Sequence, residues 1–560
     1  MGPGRLKFLL ALSLLFLTLS FLRLFQKQVL EGKKYADIAR GQQIIKKEMN
    51  AQRGKIYVRE GGELYPLATN ITLYTISVVP KQVKDKKETA KKLASILNLN
   101  FEELFEKINN NKPYLPPIAR HIDQDKMEKV KALGLKGVMI EEESQRFYPE
   151  GEMNAHLLGF VDQDGQGHYG LEDYYDAVLK GEKGMLVGAR NPKGEIVSYL
   201  DTNQPQNGAD LILTIDRTIQ FEAFRKLKEA IEKFKAQSGT IIVMEPQTGA
   251  ILAMVNYPTF DPNQYFRVKN YDLFLNPAIS KVWEPGSVFK VIAMAAGIDA
   301  NAVTKETTEY FPASVTVGGH TIWTFDKKSH GRQNMTQVLE TSNNVGMVYV
   351  VRKLGKEKFW QYLKNFGFGS LTGIDLAGEV TKRLRPYQSW RESEFATMGF
   401  GQGIAVTPIQ MVTAVAVIAN GGKLVWPHLV DEIVSPSGER QKIQKTAEKQ
   451  VISPSTAATL TEMMVSVVER GHGKKARVPG FRVAGKTGTA QVPRQDGQGY
   501  EEGKTIGSFV GFAPAENPRF VMLVKIDQPQ TVEWAESSAA PVFGEMAQFL
   551  LNYFKLSPNQ

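Results

Sequence analysis

Residues Trp283 to Met294 read WEPGSVFKVIAM and set one hydroxyl and one amine three residues apart at the entrance to a long apolar run. Pro285 and Gly286 suit a turn or helix entry, and from Val288 to Ile298 every residue except Lys290 is apolar or glycine. The pattern predicts a helix buried on most of its sides, with Ser287 in its first turn. Residues at i and i+3 share a helix face, with Cβ atoms about 5–6 Å apart. An exposed lysine of pKa about 10.4 is neutral in only about one molecule in 2,500 at pH 7. Burial disfavours the ammonium and lowers that pKa by up to about 3–5 units, so the apolar run is what makes Lys290 a candidate base. A neutral amine beside a hydroxyl activates it as a nucleophile. The free N–H groups at the helix start favour negative charge near Ser287. The alternative is a capping serine followed by a snorkelling lysine. No other serine in the chain has a lysine three residues on.

Two later stretches share that chemistry. ETSNNVGM contains Ser342, Asn343 and Asn344, and VAGKTGTAQV contains Lys486, Thr487, Gly488 and Thr489. Ser342 offers a hydroxyl able to pass a proton between Lys290 and an amine, and the Asn344 amide can hold a peptide backbone. Taken alone, Asn343-Asn344 reads equally well as a helix cap. The glycines around Lys486 suit a strand that a ligand backbone approaches closely. Lys486 supplies positive charge for a substrate carboxylate, and its proximity further depresses Lys290.

Ser-x-x-Lys, then Ser-x-Asn, then Lys-Thr-Gly, in this order, is the signature of penicillin-recognising serine acyltransferases. The chain resembles a class B penicillin-binding protein, a membrane-anchored peptidoglycan D,D-transpeptidase. The resemblance extends to RGKIYVREGGELYPLA near the anchor, to RFYPEGEMNAHLLGFVDQDGQGHYGLEDYYDAVLKGEKG, and to FGFGSLTGIDLAGE, GFGQGIAVTPIQM and SFVGFAPAENP. It implies an α+β fold: an antiparallel sheet flanked by helices, preceded by an elongated pedestal (dimerisation) domain and a single transmembrane helix. It also implies Ser287 as nucleophile, Lys290 as base, and Ser342, Asn344 and Lys486 as catalytic partners. Thr487, Gly488 and Thr489 then bind substrate, and the backbone N–H groups of Ser287 and Thr489 form an oxyanion hole. No cofactor or metal is implied. The expected substrates are stem peptides ending D-Ala-D-Ala, with β-lactams as covalent inhibitors. The expected partners are the cytoplasmic membrane, a multi-span SEDS-type glycan polymerase and division proteins. The VGM after the second motif and its terminal asparagine resemble division enzymes, although Thr341 and Asn343 depart from the commoner Ser-Ser-Asn form. Elongation-type transpeptidase, D,D-carboxypeptidase, β-lactamase and β-lactam sensor are the rival readings.

Composition agrees with a large globular chain. Of 560 residues 42% are hydrophobic and 23% charged, with 69 Lys plus Arg against 59 Asp plus Glu. The formal charge of +10 suits anionic lipid or wall polymer as well as a generic basic surface. No zinc-finger spacing, RNP-like pattern or long basic tract points to nucleic acid. The absence of cysteine excludes disulfides, thiolate catalysis and cysteine-ligated metals. Phe8 to Leu22 is free of charge, and with Arg23 snorkelling the segment 8–25 reads as an uncleaved anchor, since no Ala-x-Ala-like cleavage site follows. Basic residues flank it on both sides, so local charge leaves its direction open. The resemblance places the catalytic domain outside the cytoplasmic membrane, with residues 1–7 as a cytoplasmic tail.

LDTNQPQNGAD has linker composition and divides the chain into a pedestal, 26–205, and a transpeptidase domain, 206–555. No glycan-polymerising domain is expected ahead of the pedestal, and no wall-binding module after the last helix. Within the pedestal, KETAKKLASILNLNFEELFEKI predicts helical faces broken at Asn98 to Asn100. GTIIVMEPQTGAILAMVNYP and TIGSFVGFAPAENPRFVMLVKID each predict a strand pair. Gly480 to Thr487, GFRVAGKT, also fits the phosphate-binding pattern G-x-x-x-x-G-K-[ST], but that loop needs a helix after its lysine, and TGTAQVPRQDGQG is poor helix material.

Overall fold

The computed structural model describes residues 3–35, 44–110, 112, 115–190, 196–443, 449–494 and 499–558. They fall into two compact units, residues 1–53 with 180–208, and residues 54–179 with 209–560.

In the first unit a helix runs from Pro3 to Phe25 and continues as a π-helical turn, Gln26–Leu30. It starts ahead of the apolar run because Pro3 suits the first helical position. The segment Pro3–Leu30 is long and apolar enough to cross a membrane. The same unit holds an antiparallel sheet in the order Ile44–Met49, Gly184–Arg190, Ile196–Asn203. The last strand runs into the stretch read as linker, with Thr202 opposite Leu186 and Asn203 opposite Met185. Strand pairing is a backbone property, so polar composition did not prevent it.

The second unit is built on a five-stranded antiparallel sheet. Its strands are β1 (Ser238–Met244), β2 (Ile251–Tyr257), β3 (Ala484–Pro493), β4 (Tyr500–Ala513) and β5 (Phe520–Asp527). The spatial order is β2-β1-β5-β4-β3, so β3 is an edge. The two strand pairs foreseen from sequence are the antiparallel pairs β1–β2 and β4–β5. Alternate residues serve opposite faces. Ile241, Val243, Phe509, Val524 and Ile526 pack with helices α1 (Arg217–Phe234) and α6 (Ala539–Tyr553). Ile242, Met244, Val510, Phe512 and Leu523 pack with α2 (Lys290–Asp299), α3 (Asn344–Leu354), α4 (Pro408–Ala419) and α5 (Pro454–Glu469). Helices on both faces explain why the strands read as almost unbroken apolar runs.

Residues 54–179 join this unit through the same core. Leu157, Leu158, Phe160, Leu171 and Leu179 belong to the cluster that contains α2, and Phe160 stacks on Tyr265 at 4.3 Å. Strand Ile56–Glu60 pairs parallel to Asp210–Asp216, so a second sheet links this segment to the part of the unit that begins at residue 209. A smaller core lies under helices Lys86–Leu97 and Phe101–Ile108. They break where predicted: Asn98 takes a left-handed φ of 56° as C-cap, and Asn100 caps the next helix through Glu103 N.

Candidate active site

Gly286 has φ +58°, a conformation glycine adopts without strain, and it opens a 3₁₀ turn, Gly286–Phe289, that leads into α2. Its N–H donates to Gly401 O at 3.0 Å. Gly401 has φ +83°, and a Cβ there would lie 2.1 Å from Gly286 O. Two glycines therefore interlock the Ser287 turn with the loop before α4. On the other side, a Cβ at Gly488 would meet Val288 N at 2.9 Å, so β3 also needs a glycine to lie this close. Ser287 sits in the 3₁₀ turn rather than in the α-helix proper, and Lys290 is the first α-helical residue.

The second motif follows helix Met335–Glu340. Ser342 takes φ +52°, rare for a non-glycine, before Asn343 caps α3 by accepting from Gly346 N at 3.1 Å. The capping reading of Asn343 and the chemical reading of its neighbours therefore both hold. Lys290 Nζ donates to Ser342 O at 2.5 Å and Asn344 Oδ1 at 2.7 Å, and lies 3.1 Å from Ser342 Oγ. On β3, Lys486 Nζ reaches the same Ser342 Oγ at 3.0 Å and Thr487 O at 3.0 Å. Both lysines are 0% exposed. None of these partners is a carboxylate, so neither ammonium is neutralised. Burial, reinforced by the neighbouring Lys486, holds Lys290 well below the ordinary lysine range. Burial also pushes Lys486 down to about 7.

The hydrogen-bond pattern around Lys290 is compatible with a neutral amine. The Ser342 carbonyl and the Asn344 amide oxygen only accept, so they occupy two N–H groups of Nζ. The third direction faces the Ser342 hydroxyl, which can donate to a lone pair. A neutral amine satisfies all three contacts without a buried charge. Ser287 Oγ is not among them. Ser287 instead lines a cleft of about 210 Å³ together with Phe325, Ser342, His472, Thr487, Thr489, Trp534 and Glu536.

The remaining expected residues lie around that cleft. Asn344 gives one amide hydrogen to Trp323 O at 2.9 Å, and its other amide hydrogen has no partner among the described residues. Thr489 Oγ1 accepts from Ala535 N at 3.0 Å and keeps its hydroxyl hydrogen. After Lys486 the chain continues as strand, so no helix start stands where the phosphate-binding pattern requires one. Phe325, His472, Trp534 and Glu536 come from three separate segments and carry no motif spacing, which is why sequence reasoning missed them. Glu284 was also missed: it accepts from Gly403 N and from the Tyr500 hydroxyl, each at 2.8 Å, tying the β3–β4 hairpin to the Ser287 turn.

Comparison with known proteins gives the same answer as the geometry. Two family descriptions match, the penicillin binding protein transpeptidase domain over residues 239–548 and the penicillin-binding protein dimerisation domain over residues 48–213. The chain is similar to stage V sporulation protein D of Bacillus subtilis, 37% identical over 99% of this chain and 86% of that protein. Peptidoglycan D,D-transpeptidase FtsI of Escherichia coli is 32% identical over 91% of this chain and 85% of its own. Penicillin-binding protein 3 of Mycobacterium tuberculosis, solved in complex with aztreonam, has a TM-score of 0.72 at 28% identity, covering 92% of this chain and 98% of that one. With both domain descriptions matched and two buried lysines meeting on one serine hydroxyl beside the Ser287 turn, the chain belongs to the class B penicillin-binding proteins.

Proposed function

We propose that this protein is a serine peptidoglycan D,D-transpeptidase in which Ser287 is the nucleophile and Lys290 the base. Ser287 Oγ gives up its proton to Lys290, attacks the carbonyl carbon of the penultimate D-Ala of a stem peptide, and expels the terminal D-Ala. The resulting ester is then attacked by an amine of a second stem, which closes a cross-link and restores Ser287. Ser342 relays protons between Lys290 and the amine that leaves or enters. Asn344 and the edge of β3 hold the donor peptide, the Thr487 and Thr489 hydroxyls with Lys486 hold its carboxylate, and the N–H groups of Ser287 and Thr489 face the oxyanion. No cofactor or metal takes part in this scheme. β-Lactams acylate the same serine.

The observation that carries this reading is the pair of buried, unneutralised lysines converging on Ser342 Oγ at 3.1 and 3.0 Å. Burial without a counter-ion favours uncharged amines, and an uncharged amine is what the first step needs. Mass spectrometry after treatment with a labelled penicillin tests it. The adduct is expected on the peptide containing Ser287 and absent from Ser287→Ala; an adduct on any other residue, or one that persists in that variant, refutes the assignment.

In the finer reading, residues 8–25 anchor the protein in the cytoplasmic membrane with residues 26–205 as pedestal and 206–555 as an extracytoplasmic catalytic domain. A SEDS-type polymerase and division proteins are its partners, and septal wall synthesis is its role. The resemblance to FtsI supports that role. The 37% identity to a stage V sporulation protein favours a second one, wall synthesis during sporulation. Depletion separates them: filamentous cells support division, whereas normal growth with failed sporulation supports the second.

A further inference from the structure

The chemistry so far leaves the second substrate without a receiving group. An acceptor amine reaches the cleft mainly as an ammonium at pH 7. Two buried lysines, Lys290 and Lys486, lie behind the lining residue Ser342, whose hydroxyl each contacts, and they supply no negative charge to receive it. Among the described lining residues Glu536 is the one carboxylate. Its Oε2 lies 3.5 Å from His472 Nδ1, and His472 Nε2 has no hydrogen-bond partner among the described residues.

The pair is fixed from both sides. His472 N donates to Glu340 O at 3.3 Å, and a Cβ on the preceding Gly471 would lie 2.5 Å from that same oxygen, so the loop after α5 needs its glycine. On the opposite wall, Ala535 N is held by Thr489 Oγ1 at 3.0 Å and Ser537 Oγ by Lys475 Nζ at 3.0 Å, one residue either side of Glu536. Phe325 packs edge-on against the His472 ring at 5.2 Å and lies 6.1 Å from Trp534, giving the mouth an aromatic wall. The charged groups that face the imidazole are Lys486, Lys290 and Glu536. Burial is the largest influence and lowers its pKa, Lys486 adds to this, Glu536 opposes it and Lys290 contributes least, so the resting ring is neutral, with a lone pair on one nitrogen.

We propose that His472 and Glu536 form the acceptor subsite: Glu536 attracts the incoming primary ammonium and orients His472, and His472 Nε2 takes its proton. This rests on the transpeptidase reading and supplies its second step. The ammonium R–NH₃⁺ loses one proton to Nε2, and the freed amine attacks the carbonyl carbon of the Ser287 ester. The C–N bond forms and the C–Oγ bond breaks. The remaining excess proton on nitrogen passes to Ser287 Oγ through Ser342, and the imidazolium returns its proton to water.

The test uses the full chain with a D-alanyl thioester donor and D-alanine as acceptor, and reads the ratio of aminolysis to hydrolysis of the acyl-enzyme. That ratio does not depend on how much acyl-enzyme forms. His472→Gln is expected to lower it at least tenfold at pH 7, in keeping with general-base help of about 10² to 10⁴. Glu536→Gln, at a partly exposed position, is expected to raise the concentration of D-alanine needed for half-maximal aminolysis. The His472→Gln deficit should shrink toward pH 10, where the acceptor is already a free amine. A deficit equal at pH 7 and pH 10 means a purely structural role and overturns the proposal. If wild type acylates and both variants keep the wild-type ratio, this proposal alone fails. If wild type forms no acyl-enzyme, the transpeptidase reading fails and takes this one with it.

Discussion

Replacing Lys486 by methionine keeps the length of the side chain and removes its titration. In the folded protein the ammonium is pushed down from 10.5 to about 7 by burial, and the side chain is 0% exposed, so solvent does not screen the effect. In the unfolded chain the group returns to its ordinary value. Between about pH 7 and 10.5 the unfolded state therefore binds more protons than the folded one, and stability rises with pH across that window. Integrating one site with these two values from pH 7 to pH 10 gives a gain of about 3.5 kcal/mol. The substitution also loses the hydrogen bonds to Ser342 Oγ and Thr487 O, but those losses shift the curve without tilting it. Lys290 is held down chiefly by its own burial and titrates in both proteins, so its contribution largely cancels. Urea unfolding followed by tryptophan fluorescence at pH 7, 8, 9 and 10 measures the difference. Wild type is expected to gain about 3.5 kcal/mol on the variant over this range. Parallel curves would refute the argument that burial holds Lys486 near neutrality.

Other expectations follow from single contacts. Glu284→Gln weakens the tie to Tyr500 and Gly403; acylation by a slow penicillin should fall by about tenfold, the equivalent of one charged hydrogen bond of about 1.5 kcal/mol. Gly401→Ala places a Cβ 2.1 Å from Gly286 O at φ +83°, and should abolish acylation while lowering Tm. Arg146 and Glu172 form an ion pair at 2.6 Å with side chains 3% and 0% exposed. Glu172→Leu should cost about 3–5 kcal/mol in urea unfolding, and adding Arg146→Met should recover most of it.

What the sequence revealed and what it hid have distinct physical causes. The apolar run after Lys290 and the two hairpins were legible because each is encoded locally, by periodicity or a turn. The three motifs were legible as a family pattern, yet nothing in them says that Lys290 and Lys486 meet on Ser342 Oγ. That meeting depends on the left-handed backbone of Ser342, to which spacing is blind. The stretch read as linker is paired as strand at Asp201 to Asn203, because strand pairing ignores polarity. The mouth of the cleft was invisible for another reason: Phe325, His472 and Glu536 become neighbours only after β3, α5 and the segment before α6 have packed.

The proposed first step requires an amine at position 290 that is uncharged at physiological pH. The second-order rate of acylation by a penicillin, followed from pH 6 to pH 10, measures its state in the free enzyme. A plateau reached by about pH 8, with the rate falling only on the acid side, is the predicted profile. A rate that keeps climbing tenfold per pH unit up to pH 10 would mean that Lys290 is an ordinary ammonium, and would contradict the mechanism.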